Sequence, residues 1–86
     1  MTKPIRLSRH AEMQLDRRGA DEDEIINAVR QSKWENADLG RLQCRKDFPY
    51  NNQNWNGKHY KTKQVRPIFI EAPNEIVIVT VYVYYF

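Results

Sequence analysis

Eighty-six residues make a single domain, 1–86, with room for one modest core, because a chain this short buries only about 60–65% of its unfolded surface. A hydrophobic share of 41%, a charged share of 29% and a net charge of +3 describe an ordinary globular domain and exclude a disordered tail. The single cysteine, Cys44, excludes a disulfide framework and a cysteine-based zinc set.

In chain order, MTKPIRLS lacks the apolar run of a signal peptide, and with the lone thiol this predicts a reducing cytoplasm. Ser8 predicts an N-cap for a helix over 9–18, with Leu7, Ala11 and Leu15 as its apolar stripe and Gly19 as its C-terminal stop. Asp21 with Glu24 three residues later predicts a capping box on a second helix that ends near Ser32, with Ile25, Ile26 and Val29 facing the core. The acidic run 21–24 suits the positive end of that helix dipole better than it suits a metal. Residues 33–40 read as a loop whose Trp34 and Leu39 fold back onto the core, and 41–48 as an alternating strand.

The stretch PYNNQNWNG reads as an extended loop that closes at an Asn56-Gly57 turn. A long strand follows over 58–71, in which Pro67 marks a bulge or an edge. The last strand, 75–85, alternates strongly. Its valines, Val77, Val79, Val81 and Val83, are expected under the helices, with Thr80, Tyr82 and Tyr84 on the other face. The predicted fold is α+β: two N-terminal helices packed on one face of a three- to four-stranded antiparallel sheet. The final apolar run is too short to cross a bilayer as a helix.

Charge is unevenly spread. Residues 33–66 carry eight basic and three acidic residues, and 67–86 carry no basic residue. A one-sided positive field suits a polyanion, although an ordinary solvated surface explains it equally well. His10, Gln14 and Arg17 share a helical face at i, i+4 and i+7. A titratable imidazole beside fixed cations suits acid–base work on a phosphate. On spacing alone, a structural histidine near a helix start serves as well. Cations interleaved with tyrosines on the outer sheet face, including Arg41, Lys61 and Lys63, suit RNA, where cations hold phosphates and rings stack on bases.

The opening R-L-S-R-H-A, the R-R-G followed by D-x-D-E-I, and the ending I-V-I-V-T-V-Y resemble a family of short bacterial domains of unknown function. That family is marked by an S-x-H-A…R-x-G start and a T-V-Y finish. It is grouped with the barnase–colicin–RelE assemblage of small ribonucleases, near the RelE, ParE and BrnT toxins. The resemblance implies a RelE/ParE-like fold and cleavage of RNA, including ribosome-bound RNA, without a metal or other cofactor. It further implies the toxin role of a toxin–antitoxin pair, with an antitoxin protein as partner. It carries His10, Arg17 and Tyr82 as catalytic residues, and Arg18, Lys58, Tyr60, Lys63 and Thr80 as RNA contacts, to which the charge pattern of the sheet adds Arg41. No membrane partner is expected, and the outer tyrosines equally suit a homodimer surface. Two alternatives stand beside this: a non-catalytic module that binds RNA or protein, and a ParE-like toxin that acts on a protein target such as a topoisomerase.

Overall fold

A computed structural model describes residues 3–86. The chain order is β1 (Ile5–Leu7), α1 (Arg9–Arg18), α2 (Glu22–Gln31), β2 (Glu35–Asn36), a short 3-10 turn (Asp38–Gly40), β3 (Leu42–Gln43), β4 (Lys46–Trp55), β5 (Lys58–Glu71) and β6 (Ile76–Tyr85).

Both helices start and stop where their capping chemistry dictates. Ser8 accepts the Ala11 N–H, Gly19 closes α1 at φ 74°, and Asp21 and Glu24 form a reciprocal capping box on α2. Gly19 is needed for a second reason. A Cβ built on it would lie 2.3 Å from the Tyr85 hydroxyl and 2.7 Å from the Trp55 ring.

The sheet has six strands and is mixed, not three or four and not wholly antiparallel. Its order is β1-β6-β5-β3-β2, with β4 also paired to β5. The segment before Ser8 has only three strand residues and too little periodicity to read in sequence, yet it lies parallel to β6 with Ile5 beside Ile76 and Leu7 beside Ile78. Leu7 therefore enters the core from a strand and not from the first helix.

β3 and β4 share one side of β5, and the break between them at Cys44 and Arg45 falls beside Pro67. Pro67 is buried in this interior strand. It is tolerated because the N–H it lacks falls at that break, where the ladder is already interrupted, while its carbonyl takes the Cys44 N–H at 3.4 Å.

The polar stretch 49–55 is strand where a loop was expected. It pairs with β5 through a register shift between Pro49 and Gln53, and Asn51 and Asn52 take φ of 56° and 58° there. Asparagine tolerates the left-handed region, so the Asn-rich composition marks a bulge inside a hairpin. Asn56 and Gly57, at φ 51° and 89°, close it as a two-residue turn.

A second bulge resets β6. Ile68 faces Thr80 while Phe69 faces Ile78, which leaves Val79 extra. One extra residue inverts the inside–outside alternation. Val81 and the partly buried Val83 face the core as expected, but before the bulge Ile76 and Ile78 do so in place of Val77 and Val79. These residues pack with Ala11, Ile25, Ala28, Val29, Cys44, Val65 and Phe69 in one cluster. Trp34 joins it, its ring edge-on to Phe69 at 5.0 Å and its N–H donating to the Val29 carbonyl at 2.7 Å. Leu39 does not fold back onto this core; it is 86% exposed.

Candidate functional site

The inverted alternation beyond Val79 turns Tyr82 and Tyr84 out of the core, 36% and 42% exposed. Tyr82 forms one wall of an open cleft of about 250 Å³, lined also by Ala37, Asp38, Leu39, Arg41, Arg66, Ile68 and Thr80. The elements that meet there are the 3-10 turn, the lead into β3, the middle of β5 and the bulge of β6.

Two guanidinium groups flank the Tyr82 ring. The Arg18 Cζ, from the last turn of α1, lies 5.1 Å from its centroid, and the Arg66 Cζ lies 5.4 Å away. Both distances are within cation–π range. Arg66 is held by hydrogen bonds to Gln43 Oε1 from Nε and Nη2, and its Nη1 donates to the Tyr84 hydroxyl at 3.2 Å. A guanidinium fixed in this way is oriented in advance of any anion.

Gln14 links α1 to this wall. It is buried, and its Oε1 accepts the Thr80 hydroxyl at 2.8 Å and the Val81 N–H at 2.9 Å. β1 pairs with β6 only as far as Ile78. Gln14 thus supplies an acceptor to strand edge that would otherwise be bare.

The residues expected in the site divide into three groups. Arg41, Thr80 and Tyr82 line the cleft, and Arg18 lies against the Tyr82 ring that walls it. His10 and Arg17 are exposed on α1, one helical turn before Gln14 and just under one turn after it, and neither makes a side-chain hydrogen bond or ion pair among the described residues. Lys58 is exposed beside the hairpin turn.

Tyr60 and Lys63 belong elsewhere. Tyr60 lies 5.7 Å from the Tyr85 ring, which also stacks on Trp55 at 4.9 Å and meets Tyr50 edge-on at 5.1 Å. The Tyr85 hydroxyl donates to the Arg18 carbonyl at 2.7 Å. Burial, with Tyr50 and Glu24 nearby, pushes the Tyr85 phenol up to about 12. Lys63 is buried; its ammonium pairs with Glu24 at 2.7 Å and donates to the Gly19 carbonyl. Expected as an RNA contact, it instead ties the sheet to the α1–α2 corner.

Arg66, Gln43, Asp38 and Leu39 were absent from the sequence-based set. Arg66 carries an ordinary strand signal, and only the β6 bulge brings Tyr82 against it. A larger cavity, about 340 Å³, is lined by Lys3, Val29, Arg30, Ser32, Trp34, Glu71 and Ile76. It contains none of the expected residues, and its Lys3 is already paired with Glu71 at 3.2 Å.

Burial alone pushes the Cys44 thiol up to about 12, which leaves it unreactive. No group of three or more potential metal ligands occurs among the described residues, and no helix among them is long and apolar enough to cross a membrane. Compared with protein-family models, curated proteins and solved structures, the chain matches none. The described residues form an α+β domain with two helices, a six-stranded mixed sheet and an arginine–tyrosine cleft on the sheet.

Proposed function

We propose that this protein binds RNA in the Arg41–Arg66–Tyr82 cleft, with Arg18 against the Tyr82 ring, and cleaves it without a metal, in the manner of a small toxin ribonuclease. The observation that carries the reading is the Tyr82 ring, partly exposed in an open cleft and flanked by two guanidinium groups at 5.1 and 5.4 Å. Guanidinium groups hold phosphates, an exposed ring stacks on a base, and the two together favour RNA over a small anion.

In the proposed reaction the ribose 2′-hydroxyl gives its proton to a base as its oxygen bonds to phosphorus. The bond from phosphorus to the 5′ oxygen breaks, and that oxygen takes a proton from an acid. The products are a 2′,3′-cyclic phosphate and a 5′-hydroxyl. The arginines stabilise the charge that develops on the phosphorane. Tyr82 and His10 are the proton carriers in this reading, one from the cleft wall and the other from the first turn of α1. In a toxin–antitoxin pair, an acidic antitoxin segment would cover the same cationic face.

The test is RNA cleavage by purified protein in EDTA. Wild type is expected to yield cyclic-phosphate ends. Arg66→Ala is expected to lose about 100-fold in rate, the size of one transition-state donor. Tyr82→Phe is expected to keep binding, because the ring remains, and to lose turnover. A folded wild type that neither binds nor cuts RNA overturns the proposal. Binding without cutting favours the non-catalytic reading.

A further inference from the structure

The rim of the cleft holds a residue that folding does not account for. Leu39 sits at φ 62° and ψ 33°. This is the left-handed region, unfavourable for any residue with a Cβ. Its side chain is 86% exposed, so it adds almost nothing to the core. Glycine at this position would remove the strain at no cost in burial. Strained residues of this kind concentrate at ligand clamps, and Leu39 lines the cleft together with Ala37 and Ile68.

Its neighbour Asp38 is the only carboxylate among the eight residues that line the cleft. It forms no ion pair among the described residues, although Arg41 and Arg66 line the same cleft. The cleft thus combines a ring, an apolar side chain, one fixed cation in Arg66, a second cation in Arg41 and one exposed carboxylate.

We propose that the cleft selects an unpaired guanine, with Leu39 covering the base, Asp38 accepting its edge and the arginines holding the adjoining phosphate. The inference rests on the RNA reading above. Guanine is the one base with two adjacent donors, N1–H and N2–H, on its pairing edge, and a carboxylate has two oxygens to accept both. Adenine and cytosine each offer an amino donor beside a ring acceptor that repels the carboxylate. Uracil offers one N–H between two carbonyl acceptors. A cavity of about 250 Å³ lies just below the roughly 300–1,000 Å³ of drug-sized pockets and suits one ring system rather than a base pair.

The test uses fluorescence anisotropy with short uridine oligonucleotides that carry one central guanosine, inosine, adenosine or abasic site. A 2′-deoxy sugar at that position blocks cleavage. Wild type is expected to prefer guanosine to adenosine by about tenfold, within the range of a bidentate base contact, with inosine between them because it lacks the N2 amino group. Asp38→Asn is expected to abolish the preference while leaving overall binding in place. Leu39→Gly is expected to lose about fivefold in affinity for the guanosine strand, near the lower end for one stacked base. It should leave the abasic strand unaffected and should not lower the melting temperature, which separates a ligand contact from a structural role. Base-independent binding by wild type, or an undiminished guanosine preference in Asp38→Asn, overturns the guanine assignment alone. Failure of folded wild type to bind any of the strands overturns the RNA reading with it.

Discussion

Lys63 offers a sharp contrast between a charge held by the fold and a charge offered to a ligand. Its side chain is 8% exposed and that of Glu24 is 18%, with 2.7 Å between ammonium and carboxylate, and the Gly19 carbonyl takes a further bond. Lys63→Ala removes both interactions and leaves Glu24 and the Gly19 carbonyl short of a partner. Hydrogen bonds to charged groups contribute about 1.5–3 kcal/mol. Loss of one partner of a fully buried pair costs about 3–5 kcal/mol. The residual exposure of Glu24 lets water screen part of that, so the expected loss is about 2–3 kcal/mol. For a domain of this size that lowers the melting temperature by about 10–20 °C. Urea denaturation at neutral pH measures it, and a double-mutant cycle with Glu24→Gln isolates the pair. RNA affinity, measured well below the melting temperature, should stay within about twofold of wild type, less than the loss of one phosphate contact at moderate salt. A Lys63→Ala protein with unchanged stability and lost RNA affinity would refute the assignment of this lysine to the fold.

Three other outcomes are expected. Gly19→Ala should cost about 2–4 kcal/mol in urea denaturation, from a left-handed backbone plus the collision with Tyr85 and Trp55; Tyr85→Phe in the same chain should recover part of it by removing the nearest atom. Stability should fall in alkali, because the Tyr85 phenol, ordinarily near 10, is raised to about 12 and the Cys44 thiol, ordinarily near 9, is raised to about 12. A raised acid group stabilises the fold below its unfolded value and loses that contribution as pH climbs through the folded one. Urea midpoints should therefore drop between pH 9 and 12, less steeply in Tyr85→Phe. Cys44 should resist iodoacetamide in the native protein and react once it is unfolded in urea; prompt native labelling would contradict its burial.

Local chemistry made much of this fold readable in the sequence. Ser8, Gly19, Asp21 and Glu24 set the ends of both helices because a cap acts within four residues of chain. Asn56-Gly57 set the hairpin turn for the same reason. The α+β class followed from order and periodicity alone.

What the sequence could not supply depended on pairing between distant strands. The Val79 bulge is visible only in the step from Ile68–Thr80 to Phe69–Ile78, yet it decides which residues of β6 face the core and sets Tyr82 beside Arg66. β1 is three residues long and is stabilised by a strand some seventy positions away, so no local pattern announces it. Lys63 and Arg66 are three residues apart on one strand, with one sealed against Glu24 and the other turned to the cleft. Side-chain type set what each residue could do; strand register, a long-range property, decided where each would do it.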